Sequence, residues 1–171
     1  MTLSSISRRH GFSVVGRVRL ERPDYLQIWV DLGCDPDGLG TVTWNSVTRA
    51  VDVSGSVYLA GRGLTRFPFQ FGRVGRNFWC ERNWLTSLDG CPRTVGGGFW
   101  CSGNRLTSLD GCPREVGESF GCSTDGLVDV SALRGCKIKG WIYLLGPKAG
   151  QKRVTKLLRA QGFKGRLHNG D

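Results

Sequence analysis

Residues 75–95 read GRNFWCERNWLTSLDGCPRTV, and residues 96–116 read GGGFWCSGNRLTSLDGCPREV. The two stretches match at 15 of 21 positions without a gap, so the chain carries an internal repeat. One period earlier, residues 54–74 keep Val57, Leu59, Leu64, Thr65, Phe67 and Val74 in the equivalent places. One period later, residues 117–136 keep Phe120, Cys122, Asp125, Leu127 and Val130, and a worn fifth copy follows at Trp141 and Tyr143. A unit this short cannot bury its own apolar face, so its stability has to come from stacking on the next copy. The string F-x-C-x-x-N-x-L predicts one short parallel strand per unit, with Phe78 and Cys80 inward, Asn83 at the turn, and Leu85 and Leu88 on the far wall. Asparagine suits that turn because its amide can both donate to and accept from the backbone of adjacent units. Asn83, Asn104 and Asp125 form the expected column, which Arg62 interrupts in the first copy.

The period falls in the leucine-rich-repeat range, whose core reads L-x-x-L-x-L-x-x-N-x-L, with cysteine here in place of a leucine. The LTSL-x-G-CP-x-x-V pattern resembles the short bacterial leucine-rich repeat of secreted effector proteins. It is closer still to small bacteriophage-encoded proteins with tandem N-x-LTSL-x-G units. The approach Val51-Asp52-Val53-Ser54-Gly55-Ser56-Val57-Tyr58-Leu59, with Leu64-Thr65 and Phe71-Gly72, is similar to the opening unit of those proteins. The resemblance spans residues 44–136, about half of the chain. It implies an α/β, mostly β solenoid with a curved parallel sheet. It further implies a non-enzymatic binder that inhibits a host or defence protein in the host bacterial cytoplasm. The effector ligases add a catalytic domain with a nucleophilic cysteine, for which this chain has no room.

Three segments are expected: a β-rich N-terminal cap over 1–53, the repeats over 54–144, and a basic helical cap and tail over 145–171. Residues 13–20 and 25–32 are rich in β-branched and aromatic side chains, and Asp35-Pro36-Asp37-Gly38 is a turn before a strand at 41–44. Pro147 suits the first turn of a helix and Gly162 its end, with Val154, Leu157, Leu158 and Gln161 at helical spacing between them.

A chain of 171 residues, 39% of them apolar, is enough for one compact domain or two small ones. Glycine, at 26 residues, lacks the every-third spacing of collagen and points to many tight turns. No apolar run reaches the ~18 residues a bilayer span needs, and arginines at 8 and 9 without an apolar stretch do not make a secretory signal. A soluble cytoplasmic protein with no membrane partner is the expectation. Net charge is +10, but residues 1–53 balance six cations against six acids. Residues 137–171 hold nine cations against Asp171 alone, so the basicity is C-terminal.

Little here supports catalysis. His10 and His168 lie far apart in sequence, with no serine or cysteine motif beside either, so a nucleophile has no base in reach. Asp89 and Asp110 recur as repeat positions, G-x-x-x-x-G-K-[ST] is absent, and Gly96-Gly97-Gly98 is a repeat junction. Seven cysteines with no C-x-x-C pair argue against zinc or a disulfide frame, and read as small buried hydrophobes. No enzyme activity, metal or cofactor is expected.

Two features remain for binding. If Phe78 and Cys80 face inward, Trp79 faces outward, and Tyr58, Trp79 and Trp100 form a row across adjacent strands. Rings of ~150–250 Å² each make a row of about 500 Å², at the upper end of what a monomer leaves open without a partner. Glu81, Arg82 and Arg105 are its expected polar surroundings, and Gly121 is expected to end the row toward the N-terminal half. The competing reading is that the rings stack on one another and stiffen the sheet. Separately, Lys148, Lys152, Arg153, Lys156 and Arg159 suit phosphate or an acidic surface, or else a solvated face. The readings are thus a protein-binding module, a nucleic-acid-binding accessory protein, and a virion structural component.

Overall fold

The computed structural model describes residues 40–170. The sequence-predicted strands at 13–20 and 25–32 and the turn at 35–38 lie outside the described residues.

In chain order the elements are β1 (Val42–Asn45), β2 (Ala50–Val53), β3 (Val57–Tyr58), β4 (Phe71–Val74), β5 (Phe78–Trp79), β6 (Thr94–Val95), β7 (Phe99–Trp100), β8 (Glu115–Val116) and β9 (Phe120–Ser123). A 3₁₀ turn (Ser131–Gly135), β10 (Lys137–Ile138), β11 (Trp141–Leu145), α1 (Lys148–Ala160) and β12 (Arg166–Asn169) follow. They form two open six-stranded sheets, ordered β1-β2-β4-β6-β8-β10 and β12-β11-β9-β7-β5-β3. β1 and β2 make an antiparallel hairpin, and every other pairing is parallel. The described residues are thus mostly sheet, with one α-helix.

Each repeat supplies two strands, where the sequence predicted one. Phe78 pairs with Phe99 and Phe99 with Phe120 in the second sheet, while Val74 pairs with Val95 and Val95 with Val116 in the first. The second pairing follows from the glycine corner between the sheets. A Cβ on Gly96 would lie 2.1 Å from the Gly75 carbonyl oxygen, and one on Gly117 would lie 1.9 Å from that of Gly96. Repeats therefore touch backbone to backbone at this corner, which brings the two residues before it to strand spacing. Gly96 N donates to Val74 O at 2.9 Å and Arg93 N to Gly72 O at 2.8 Å. Strands of two residues leave no alternation to read in sequence.

The core lies between the sheets and is built of columns. Val57, Phe78, Phe99, Phe120 and Ile142 line the second sheet, and Val53, Val74, Val95 and Val116 line the first. Leu59, Cys80, Cys101, Cys122 and Leu144 form the next inward column, closed by Leu64, Leu85, Leu106 and Leu127 on the connecting arc. The cysteines do more than fill space. Cys80 Sγ donates to Trp100 O and Cys101 Sγ to Gly121 O, each at 3.3 Å, linking one repeat to the next.

Asn83 and Asn104 behave as expected. Asn83 Nδ2 donates to Leu59 O and Cys80 O while its Oδ1 accepts from Leu64 N; Asn104 repeats the pattern with Cys80 O, Cys101 O and Leu85 N. Asp125 leaves the column and is exposed, because a carboxylate has no N–H to give the carbonyls. Arg153 from α1 donates to Thr124 O and Leu127 O on either side of it, which are not the carbonyls that the asparagines serve. The predicted helix is present as α1, preceded by Pro147 and ended near Gly162 at φ 81°. It connects the parallel strands β11 and β12, a connection too long for a hairpin, and buries Gln151, Val154 and Leu158. The sequence predicts a helical cap and tail over 145–171, and within that tail β12 adds a sixth strand to the second sheet.

Candidate functional site

The outward face of the second sheet carries one register of side chains: Tyr58, Trp79, Trp100, Gly121, Tyr143 and His168. Parallel strands stand about 4.8 Å apart, so large rings on this register are forced into contact. Tyr58 and Trp79 stack with centroids 4.3 Å apart and planes 12° from parallel. Rings stacked across strands stand on edge, so their rims, not their faces, point outward. Trp100 leans the other way. A Cβ on Gly121 would lie 2.2 Å from Trp100 Cε3, and one on Gly98 would lie 2.7 Å from its Nε1. Two missing side chains thus form the seat of this indole.

Trp100 thereby bridges the gap and meets Tyr143 at 5.5 Å. Tyr143 meets His168 at 4.9 Å, His168 meets the edge of Trp141 at 6.3 Å, and Arg166 lies over Trp141 at 5.8 Å. The expectation that Gly121 ends the row fails for this reason: glycine makes room for its neighbour, and the aromatic column runs on to the C-terminal edge. Tyr58 is 48% exposed and Trp141 41% exposed, with Trp79, Trp100 and Tyr143 half-buried.

The expected polar surroundings divide. Glu81 Oε1 accepts from Ser102 Oγ at 2.8 Å, beside the row. Arg82 is exposed at φ 52°, in the place where Gly61 and Gly103 both take φ 67°. A side chain in this left-handed region costs about 1 kcal/mol, and such strain is characteristic of functional positions. Arg105 lies beyond the turn, its guanidinium 5.5 Å from the Trp84 ring. Trp84 is 51% exposed, and the repeat gives no signal for it because only one copy carries a ring there.

The basic residues also divide. Lys148, Lys152, Lys156 and Arg159 fall within one arc of α1 at three- and four-residue spacing, all exposed. Arg153 is engaged with two carbonyls of the fourth repeat, and Arg159 Nη1 donates to Phe163 O at 2.8 Å. Among the described residues one ion pair forms, Lys137 with Glu115 at 3.7 Å.

Five buried or half-buried thiols are held protonated. Burial pushes Cys80, Cys91, Cys101 and Cys122 up, the last to about 12. Cys112 is pushed up by its hydrogen bond with the Cys136 thiol and by burial. A nucleophilic cysteine needs the opposite shift. No cluster of three or more metal-ligating side chains occurs among the described residues, and no helix there is long and apolar enough to cross a membrane. Compared with protein-family models, curated proteins and solved structures, the chain matches none.

Proposed function

We propose that this chain is a short leucine-rich-repeat solenoid that acts as a non-enzymatic protein-binding module through the aromatic face of its second sheet. The observation that carries the reading is the run of rings on one outward register, Tyr58 stacked on Trp79 and Trp100 joined through Tyr143 to His168. Upright rings offer a rim of apolar C–H edges together with the polar tips of tyrosine and tryptophan, the chemistry concentrated in protein hot spots. The strained Arg82 and the Glu81 carboxylate supply charge at its margin. The resemblance to phage-encoded repeat proteins supports a host or defence protein as the partner and inhibition as the outcome.

The test is affinity capture from host lysate with nuclease present, comparing wild type with a Trp79→Ala/Trp100→Ala variant whose fold is verified by circular dichroism. A protein retained by the wild type and lost by the variant is the expected result. Equal retention by both removes the basis of the sheet-face reading. Nucleic-acid binding is the second reading, favoured by the exposed stripe Lys148, Lys152, Lys156 and Arg159. It predicts affinity that falls steeply with salt. Base stacking on Trp79 has little support, because Tyr58 already covers one of its faces.

A further inference from the structure

From Val130 to Gly170 the chain carries ten lysines and arginines and no aspartate or glutamate. Within this stretch the 3₁₀ turn, β10 and the loop from α1 to β12 line an open cleft of about 420 Å³. That volume lies within the roughly 300–1,000 Å³ typical of small-molecule sites. Its apolar lining is Leu133, Ile138 and Phe163, and its cations are Arg134, Lys137 and Lys164. No lining residue is acidic. Cations around one concave surface raise the positive potential there.

Two arginines hold the walls in place. Arg134 Nε donates to Gln161 O at 3.1 Å, tying the 3₁₀ turn to the end of α1. Arg159 Nη1 donates to Phe163 O and Gly165 O, fixing the loop that carries Phe163 and Lys164. Among the described residues, the terminal nitrogens of Arg134 and the ammonium of Lys164 have no protein partner. Lys137 has only its exposed pair with Glu115, which is weak and easily exchanged. The cleft is therefore preorganised, and the charges of Arg134 and Lys164 are uncompensated.

We propose that this cleft binds a nucleotide, with its phosphate on Arg134, Lys137 and Lys164 and its base against Phe163 and Ile138. A phosphate monoester supplies the dianion that three cations call for. A planar base suits a floor that is apolar and partly aromatic. The ligand is either a free mononucleotide or the 5′ end of a strand, which share this chemistry. The site stands apart from the aromatic face and does not depend on it.

Isothermal titration of the full chain with AMP tests the proposal, with adenosine and inorganic phosphate alongside. AMP should bind more tightly than either component, and Lys164→Ala should weaken it about tenfold. Lys164 is exposed, so this variant keeps the fold. Lys148→Ala/Lys152→Ala, on the helix stripe, should leave AMP affinity unchanged. A 5′-phosphorylated tetranucleotide that binds no better than AMP identifies free nucleotide as the ligand. Tighter binding that is lost on dephosphorylation identifies the strand end. No heat with AMP at millimolar concentration overturns the proposal. So does an effect of the helix variant equal to that of Lys164→Ala, which would mark bulk charge attraction in place of a site.

Discussion

At the scale of single residues, the asparagine ladder shows why one side chain can carry a whole turn. Asn83 is 2% exposed, and its amide serves four backbone groups drawn from two successive repeats. Removing it leaves buried donors and acceptors without partners, at about 1–3 kcal/mol each when water cannot enter. Asn83→Ala should therefore cost about 3 kcal/mol, read as a lowered midpoint in urea. Asn83→Asp should recover little of that loss, since it keeps the acceptor for Leu64 N but has nothing to donate. A full rescue by aspartate would show that the acceptor alone holds the turn. The chain carries the same substitution at Asp125, which is exposed and outside the ladder, while Arg153 of α1 ties the neighbouring Thr124 and Leu127 carbonyls.

At the scale of elements, the corner glycines decide how closely repeats stack. Gly96 has no space for a Cβ against the Gly75 carbonyl, whereas a Cβ on Gly135 would meet nothing within 4 Å. Gly96→Ala should separate two repeats in both sheets and cost more than about 3 kcal/mol, with loss of cooperative thermal unfolding. Gly135→Ala should stay within about 0.5 kcal/mol of wild type. Equal effects at the two positions would mean that the corner is not under contact. The aromatic column depends on the same economy of Cβ atoms, since Trp100 fits only because Gly98 and Gly121 lack them. This was not legible in advance, because a glycine in a column of rings reads as an interruption until the neighbouring indole is seen to lean over it. Trp141 and Tyr143 were visible as a worn repeat, but nothing in sequence placed His168 beside them. It reaches the face only because α1 returns the chain parallel to β11.

At the scale of the whole molecule, the column of buried thiols couples stability to alkaline pH. Folded, Cys122 holds its proton to about pH 12, against an ordinary value of 9.0, and Cys80, Cys91 and Cys101 are raised in the same direction. Above pH 9 the unfolded chain releases thiol protons that the folded chain keeps, so rising pH favours unfolding. Thiol-linked stability is thus complete below about pH 9 and is lost as pH climbs through the folded values. Each such thiol contributes a slope of about 1.4 kcal/mol per pH unit in that range. The melting temperature should be flat with respect to these groups from pH 6 to about 8.5 and fall beyond pH 9. Cys122→Val should flatten the fall, and an unchanged slope would assign it to other groups. The sequence by itself determined the repeat, its inward phenylalanine, cysteine and leucine columns, the asparagine turn, the C-terminal helix and the uneven charge. All of these are properties of spacing or composition along one chain. Only the tertiary structure decided that each repeat makes two strands, that the ring column passes over Gly121 to the far edge, and that Arg134, Lys137 and Lys164 line one cleft. Those depend on which residues stand beside each other across repeats, where contact is set by backbone approach rather than by sequence separation.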